Sequence, residues 1–205
     1  MRRRFLAHFT DPVASAVPHL SMGPSPASDR GPRAGYFPNV VLRTHEGRAV
    51  RFYDDLIKGK IVVINFVYAN CTGICPRMTT NLMKVQEALG GRVGRDIFMY
   101  SITLKPQQDD ATALKHYVEM HGIKPGWLFL TGRRGDVEIL RRKLGFTDPD
   151  PLLDRDSSQH IGVVKFGNEA FDRWAACPAL TEPEQIVKSI LWMDVKAKGS
   201  SGNGR

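Results

Sequence analysis

Apolar positions along this chain come in short unbroken runs, separated by stretches where they recur every three or four residues. That is the pattern of buried strands alternating with amphipathic helices. Ile61-Val62-Val63-Ile64-Asn65-Phe66-Val67 is rich in β-branched residues and too short to span a bilayer, so it predicts a strand covered on both faces. Met78, Leu82, Val85 and Leu89 then follow at helical spacing, with Pro76 suited to the first turn and Gly90 to the stop. Ile97 to Thr103 predicts a second strand, followed by a helix capped near Asp109 or Asp110 and ended by Gly122. Trp127 to Leu130 is a third strand, and Val137, Leu140 and Leu144 mark a short helix ending at Gly145.

Upstream, Val40 to Leu42 and Ala49 to Phe52 flank a polar turn at His45-Glu46-Gly47 and predict a hairpin. Downstream, Asp148 to Ser158 reads as a polar loop, and Ile161 to Phe166 as a strand. A two-residue turn at Gly167-Asn168 then leads into a strand over Ala170 to Trp174. The last helix opens on a capping box, Thr181 with Glu184, and turns Ile186, Val187, Ile190 and Leu191 inward. The expected architecture is an α/β fold of thioredoxin-like type, a central mixed sheet flanked by helices and preceded by an N-terminal β-hairpin.

With 205 residues, 42% hydrophobic and 24% charged, the composition is that of one globular domain. The formal charge of +8 sits mostly at the ends: Met1 to Arg33 carries five arginines against Asp11 and Asp29, and Met193 to Arg205 carries Lys196, Lys198 and Arg205 against Asp194. No basic stripe interleaves with aromatics, so nucleic acid is not expected as a partner. Residues 1–35, with Pro12, Pro18, Pro24, Pro26 and Pro32, read as a disordered tail or export leader, 36–193 as the domain, and 194–205 as a flexible tail. Arg2-Arg3-Arg4-Phe5-Leu6 is similar to a twin-arginine export signal with Ala14-Ser15-Ala16 as a cleavage site, although His8 and Asp11 interrupt the apolar stretch. The expected location is the periplasm or the outer face of the cytoplasmic membrane, with membrane association only through the leader or a partner.

The chemistry concentrates in Cys71-Thr72-Gly73-Ile74-Cys75-Pro76, where the first core strand gives way to a helix. A cysteine at a helix N-terminus meets unpaired N–H groups and the positive end of the dipole, so Cys75 is expected to have a lowered pKa. Three intervening residues let both sulfurs address one spot, as a disulfide or as ligands of a soft metal ion. His160, just before a strand of the same sheet, is the best third ligand, although a surface or core-satisfied histidine is the competing reading. Two thiolates and an imidazole suit Cu(I), or Cu(II) with a further weak ligand, whereas structural zinc wants four strong ligands. Cys177 reads as a spare, buried and inert, and His45, His116 and His121 as surface residues.

Phe66 to Pro76 resembles the Cys-x-x-x-Cys-Pro signature of the SCO/SenC family of thioredoxin-like copper-binding proteins. Tyr100 to Leu104 with Pro106 and Asp109, Pro125-Gly126-Trp127 through Thr131-Gly132, and His160 before a strand are similar to its further motifs. The resemblance implies a non-enzymatic copper chaperone or thiol redox protein assisting assembly of the copper centre of cytochrome oxidase. Copper, as Cu(I) or Cu(II), would be held by Cys71, Cys75 and His160. The implied partners are cytochrome oxidase subunit II or another exported copper or thiol protein, and a reducing thioredoxin-like protein. The alternative is a thiol-disulfide oxidoreductase acting on exported proteins through the redox pair Cys71 and Cys75 without delivering copper. A peroxidase ranks third. Lys105 and Gln159 stand where many family members carry aspartate, which implies a more positive neighbourhood for the thiols.

Overall fold

The computed structural model describes residues 31–155 and 162–194. Seven strands, β1 Val41–Thr44, β2 Ala49–Arg51, β3 Ile61–Val67, β4 Ile97–Thr103, β5 Trp127–Gly132, β6 Val163–Asn168 and β7 Arg173–Pro178, form one sheet in the order β2-β1-β5-β4-β3-β6-β7. β3, β4 and β5 run parallel; β1 joins β5, and β6 joins β3, antiparallel. The helices are α1 Ile74–Leu89, α2 Ala111–His121, α3 Arg134–Lys143, α4 Pro151–Arg155 and α5 Pro183–Trp192, and one π-turn spans Phe52–Ile57.

All seven residues of β3 are buried because both faces of the sheet are covered. Side chains of a strand alternate between faces, so Val63 and Val67 join Met78, Leu82, Val85, Trp127, Phe129, Ile186 and Ile190 under α1, α2 and α5. Val62, Ile64 and Phe66 join Phe52, Leu56, Ile57, Val137, Leu140 and Phe146 on the other face. Each such side chain contributes about 1.5–3 kcal/mol by leaving water. Parallel strands joined by α1 and α2 bring the C-terminal ends of β3 and β4 side by side, Val67 opposite Thr103. The start of β3 lies at the opposite pole, where Ile61 pairs with Asn168.

Several local expectations change. The segment read as a polar loop contains α4, because Asp150 accepts the Leu152 N–H at 2.8 Å and Arg141 clamps Asp154 through two bonds of 2.6 and 2.7 Å. That fork holds the Asp154 carboxyl down at about 2. Gly167 and Asn168 are not a turn: they remain in β6 opposite Trp174 and Arg173, and the chain reverses over 169–172 with Asp172 at φ 49°. Gly167 is required by the Trp174 ring, which leaves no room for a Cβ. The capping box does not form, since α5 starts at Pro183 after Glu182 without a side-chain cap, and Leu191 is exposed rather than inward. Cys177 lies within β7 and is half-buried rather than buried.

Candidate metal and redox centre

β3 delivers the chain to the cysteines: after Val67 it turns through Tyr68 to Gly73, with the Cys71 N–H donating to the Tyr68 carbonyl at 3.2 Å, and enters α1. Cys75 lies inside the first turn and is 0% exposed, Cys71 is 6% exposed, and both are reduced. Burial, the largest single influence on Cys71, opposes its ionisation. The Tyr68 hydroxyl, the Cys75 thiol and the N–H groups of Cys75 and Gly73 all donate to its sulfur, and together they outweigh burial and hold the thiol below its usual range. Burial pushes the Cys75 thiol up to about 12, and donation of its own proton to Cys71 adds to the effect. The sequence expectation is thus reversed. The orphan amides at the start of α1 serve Cys71, while Cys75, within the first turn, is buried in the core.

Sequence reasoning named Asp109 as a candidate helix cap and motif residue but missed its role in holding this loop. Asp109, only 1% exposed, accepts the Ala69 N–H at 3.0 Å and the Thr103 hydroxyl at 2.5 Å, tying the cysteine loop to the end of β4. Its neighbour Asp110 caps α2 by accepting the Ala113 N–H at 2.8 Å. Two adjacent acids before a helix were the available signal, since one cap leaves the second free for another task. Replacing Asp109 by alanine leaves two donors without an acceptor at about 1–3 kcal/mol each. A fall in Tm of about 5–20 °C and faster exchange at the Ala69 amide are expected, with Asp109→Asn retaining most of both.

Lys105 takes its place on the same scaffold: its N–H donates to the Thr103 hydroxyl at 3.0 Å, and its ammonium lies 4.1 Å from the centroid of the Tyr68 ring. The cation therefore sits over the ring whose hydroxyl bonds Cys71. Beneath the pair, the Thr79 and Tyr117 hydroxyls lie 2.8 Å apart, and burial pushes the Tyr117 phenol up to about 12.

His160 and Gln159 lie outside the described residues, as do the proposed leader motifs and most of both tails. Among the described residues no group of three ligating side chains assembles. The chain is next described at Gly162, whose carbonyl accepts the Ala179 N–H at 2.8 Å. A Cβ on Gly162 would lie 2.5 Å from Ile74 Cδ1 and 3.5 Å from Met78 Sδ, so the segment just after His160 rests on the turns of α1 that flank Cys75. The other histidines are accounted for. His45 is half-buried, its Nδ1 accepting the Phe129 N–H at 3.1 Å and its pKa lowered by burial, so it is not a surface residue. His121 is half-buried with its ring 4.3 Å from that of Tyr117, and His116 is exposed.

A family model described as SCO1/SenC matches residues 37–190. The chain belongs to the SCO1/SenC family. Among curated relatives, a SCO2-like protein of Rickettsia conorii is 27% identical over 119 residues, covering 54% of this chain and 57% of that one. The SCO1 protein homolog of Bacillus subtilis is 30% identical over 93 residues, covering 45% of this chain and 47% of its own. The chain thus spans about half the length of the curated relatives it matches. The fold is shared with yeast Sco1 solved with copper bound, at TM-score 0.59 and 22% identity over 80% of this chain and 97% of that one. Arabidopsis thaliana ScoI with copper bound matches at TM-score 0.59 and 18% identity over 76% and 96%. The thioredoxin-like α/β fold read from the SCO1/SenC sequence is the fold observed.

Proposed function

We propose that this SCO1/SenC protein carries copper on Cys71, Cys75 and His160 and serves assembly of the copper centre of cytochrome oxidase in the periplasm or on the outer face of the cytoplasmic membrane. The observation that carries the reading is a dry, mutually hydrogen-bonded pair of thiols with the segment following His160 packed against their helix. Soft sulfur donors in an apolar setting fit copper as cargo, most directly as Cu(I). His160 is two residues from Gly162, a chain reach of about 7 Å, which supports its assignment as the third ligand. Relatives point the same way: copper-bound Sco structures share the fold, and BsSco is described as having a disulfide switch and as a member of the Sco family of cytochrome c oxidase assembly proteins.

Each side chain has a definable task. The Cys71 thiolate meets the metal first, being the more exposed and the already activated sulfur. Cys75 holds a proton that it must give up on coordination, so loading releases protons and weakens as pH falls. The Tyr68 hydroxyl favours the Cys71 thiolate before the metal arrives and Asp109 keeps the loop in place. Oxidation by a partner disulfide forms the Cys71–Cys75 bond and breaks the partner's S–S bond, the two partner sulfurs taking the two electrons, the Cys75 proton and one proton from solvent, and it blocks loading until the pair is reduced again.

Reduced protein is expected to retain one copper per chain against a competing chelator, with Cys71→Ser or Cys75→Ser lowering retention at least a hundredfold. A wild type that releases all its copper to the chelator sinks the proposal. The second reading, a thiol-disulfide oxidoreductase, is favoured by one feature: an acidic Cys71 beside a protonated Cys75 is also the arrangement of an attacking and a resolving thiol.

A further inference from the structure

Three segments frame the thiols: the loop Tyr68 to Gly73, the first turn of α1, and the loop between β4 and α2. Their charged side chains are Arg77, Lys105, Asp109 and Asp110, and these divide by sign. Both acids are engaged within the fold. Asp109 is buried on the Ala69 N–H and the Thr103 hydroxyl, and Asp110 caps α2. The two cations are free: among the described residues neither the Arg77 nor the Lys105 side chain enters an ion pair or a hydrogen bond.

The backbone places both cations beside the reactive sulfur. Lys105 is anchored by its N–H on the Thr103 hydroxyl, and its ammonium stands 4.1 Å from the centroid of the Tyr68 ring, whose hydroxyl bonds Cys71. The charge is therefore about 10 Å from that sulfur, within one Debye length at about 0.1 M salt. Arg77 follows Cys75 by two residues; because Cys75 faces the core, Arg77 lies on the outer side of the first turn and is exposed. The surface around them holds exposed Thr72 and Gly73 and partly exposed Ile74, Pro76 and Pro106.

We propose that Lys105 and Arg77 make the face around Cys71 a docking surface for an acidic protein segment and select the partner of the thiols by its charge. The inference rests on the reading of Cys71 and Cys75 as groups that act on a protein partner. An unpaired cation at the rim of an interface acts mainly on encounter, drawing in opposite charge and holding off like charge. Ile74, Pro76 and Pro106 give the face an apolar centre that a peptide covers and a run of phosphates does not. In exchange, the Cys71 thiolate attacks one sulfur of the partner's disulfide; the new S–S bond forms as the old one breaks, and the departing sulfur takes the electron pair. Cys75 then gives up its proton and attacks Cys71, releasing the second partner sulfur. The pair has lost two electrons, and the two partner sulfurs have gained them with the Cys75 proton and one from solvent. Carboxylates flanking the attacked disulfide meet Lys105 and Arg77 on approach, whereas lysines there are repelled.

The test uses the full reduced chain and three short peptide disulfides that differ only in the residues flanking the cysteine: glutamate, glutamine or lysine. Each exchange rate, read from the peptide thiol released, is divided by that of mercaptoethanol with the same peptide and salt, which removes the peptides' own reactivity. At about 0.02 M salt the glutamate peptide is expected to react at least tenfold faster than the lysine peptide, and at about 0.5 M salt within about twofold of it. Lys105→Gln and Arg77→Gln are each expected to lower that preference about threefold, and Lys105→Arg to keep it; the glutamine peptide corrects for any change in Cys71 itself. Polyglutamate is expected to compete with the glutamate peptide, and stronger competition by polyphosphate at equal charge overturns the choice of a protein. Equal rates with all three peptides, or a preference that survives Lys105→Gln/Arg77→Gln, overturn the proposal and leave the reading of the thiols standing. No exchange with any peptide overturns the proposal together with the reading of Cys71 as an attacking thiol.

Discussion

Iodoacetamide added to the reduced protein near pH 7 is expected to alkylate Cys71 at least fiftyfold faster than Cys75. Cys71 ionises below the ordinary thiol range and Cys75 near 12, a gap of at least about three units. Such a gap gives about a thousandfold more thiolate at Cys71, and the greater intrinsic nucleophilicity of the more basic sulfur returns only about one and a half decades. Access acts in the same direction, since Cys75 is wholly buried. Peptide mapping of the singly labelled protein reads the outcome directly; Cys75 labelled first would restore the helix-terminus assignment that the sequence suggests. Tyr68→Phe removes one hydrogen bond to a charged sulfur, about 1.5–3 kcal/mol, and is expected to raise the pH midpoint of Cys71 labelling by about one to two units.

The same asymmetry sets a pH dependence of stability. Cys75 is raised in the folded state, so its contribution is complete below the unfolded thiol value and is lost as pH climbs toward 12. Cys71 is lowered, and its contribution is present above the unfolded value and lost as pH falls through its folded one. In alkali, then, the reduced protein weakens because the unfolded chain sheds the Cys75 proton that the fold retains.

What could be read from the sequence was what depends on pattern alone. Ile61 to Val67 had to be covered on both faces, and Met78, Leu82, Val85 and Leu89 had to face one side of a helix, so β3 and α1 follow with their ends. The cysteines follow too, because their position is fixed by the junction of those two elements. Features set by tertiary contact could not be read. Gly167-Asn168 has the composition of a turn, yet the Trp174 ring across the ladder requires that glycine in the strand, and the reversal falls where Glu169 is bonded by Tyr53 and Gly59 at 2.6 and 2.8 Å. Thr181 has the composition of a cap, yet its carbonyl is taken by Asn81 at 2.7 Å and the helix begins after it. Dipole reasoning chose the wrong sulfur of the pair, Cys75 instead of Cys71, because it counts residues along the helix and takes no account of which sulfur the first amides face.

Replacing His160 by alanine is expected to separate the two activities that share Cys71 and Cys75. Disulfide exchange needs only an activated sulfur, its proton-bearing neighbour and the amides of α1, all of which are complete without His160. Copper retention asks for more. A two-coordinate thiolate pair gives up Cu(I) to a chelator or to another thiol more readily, whereas a third, nitrogen ligand closes the coordination and disfavours that exchange. Loss of an outer-shell partner of a metal ligand already lowers affinity about 10–100-fold, so loss of the ligand itself is expected to exceed a hundredfold. Cu(II) gives a second readout, because a thiolate-to-copper charge-transfer band present in the wild type should be lost or shifted in the variant. Unchanged chelator competition and an unchanged band would remove His160 from the site, leaving Cys71 and Cys75 to hold copper without it.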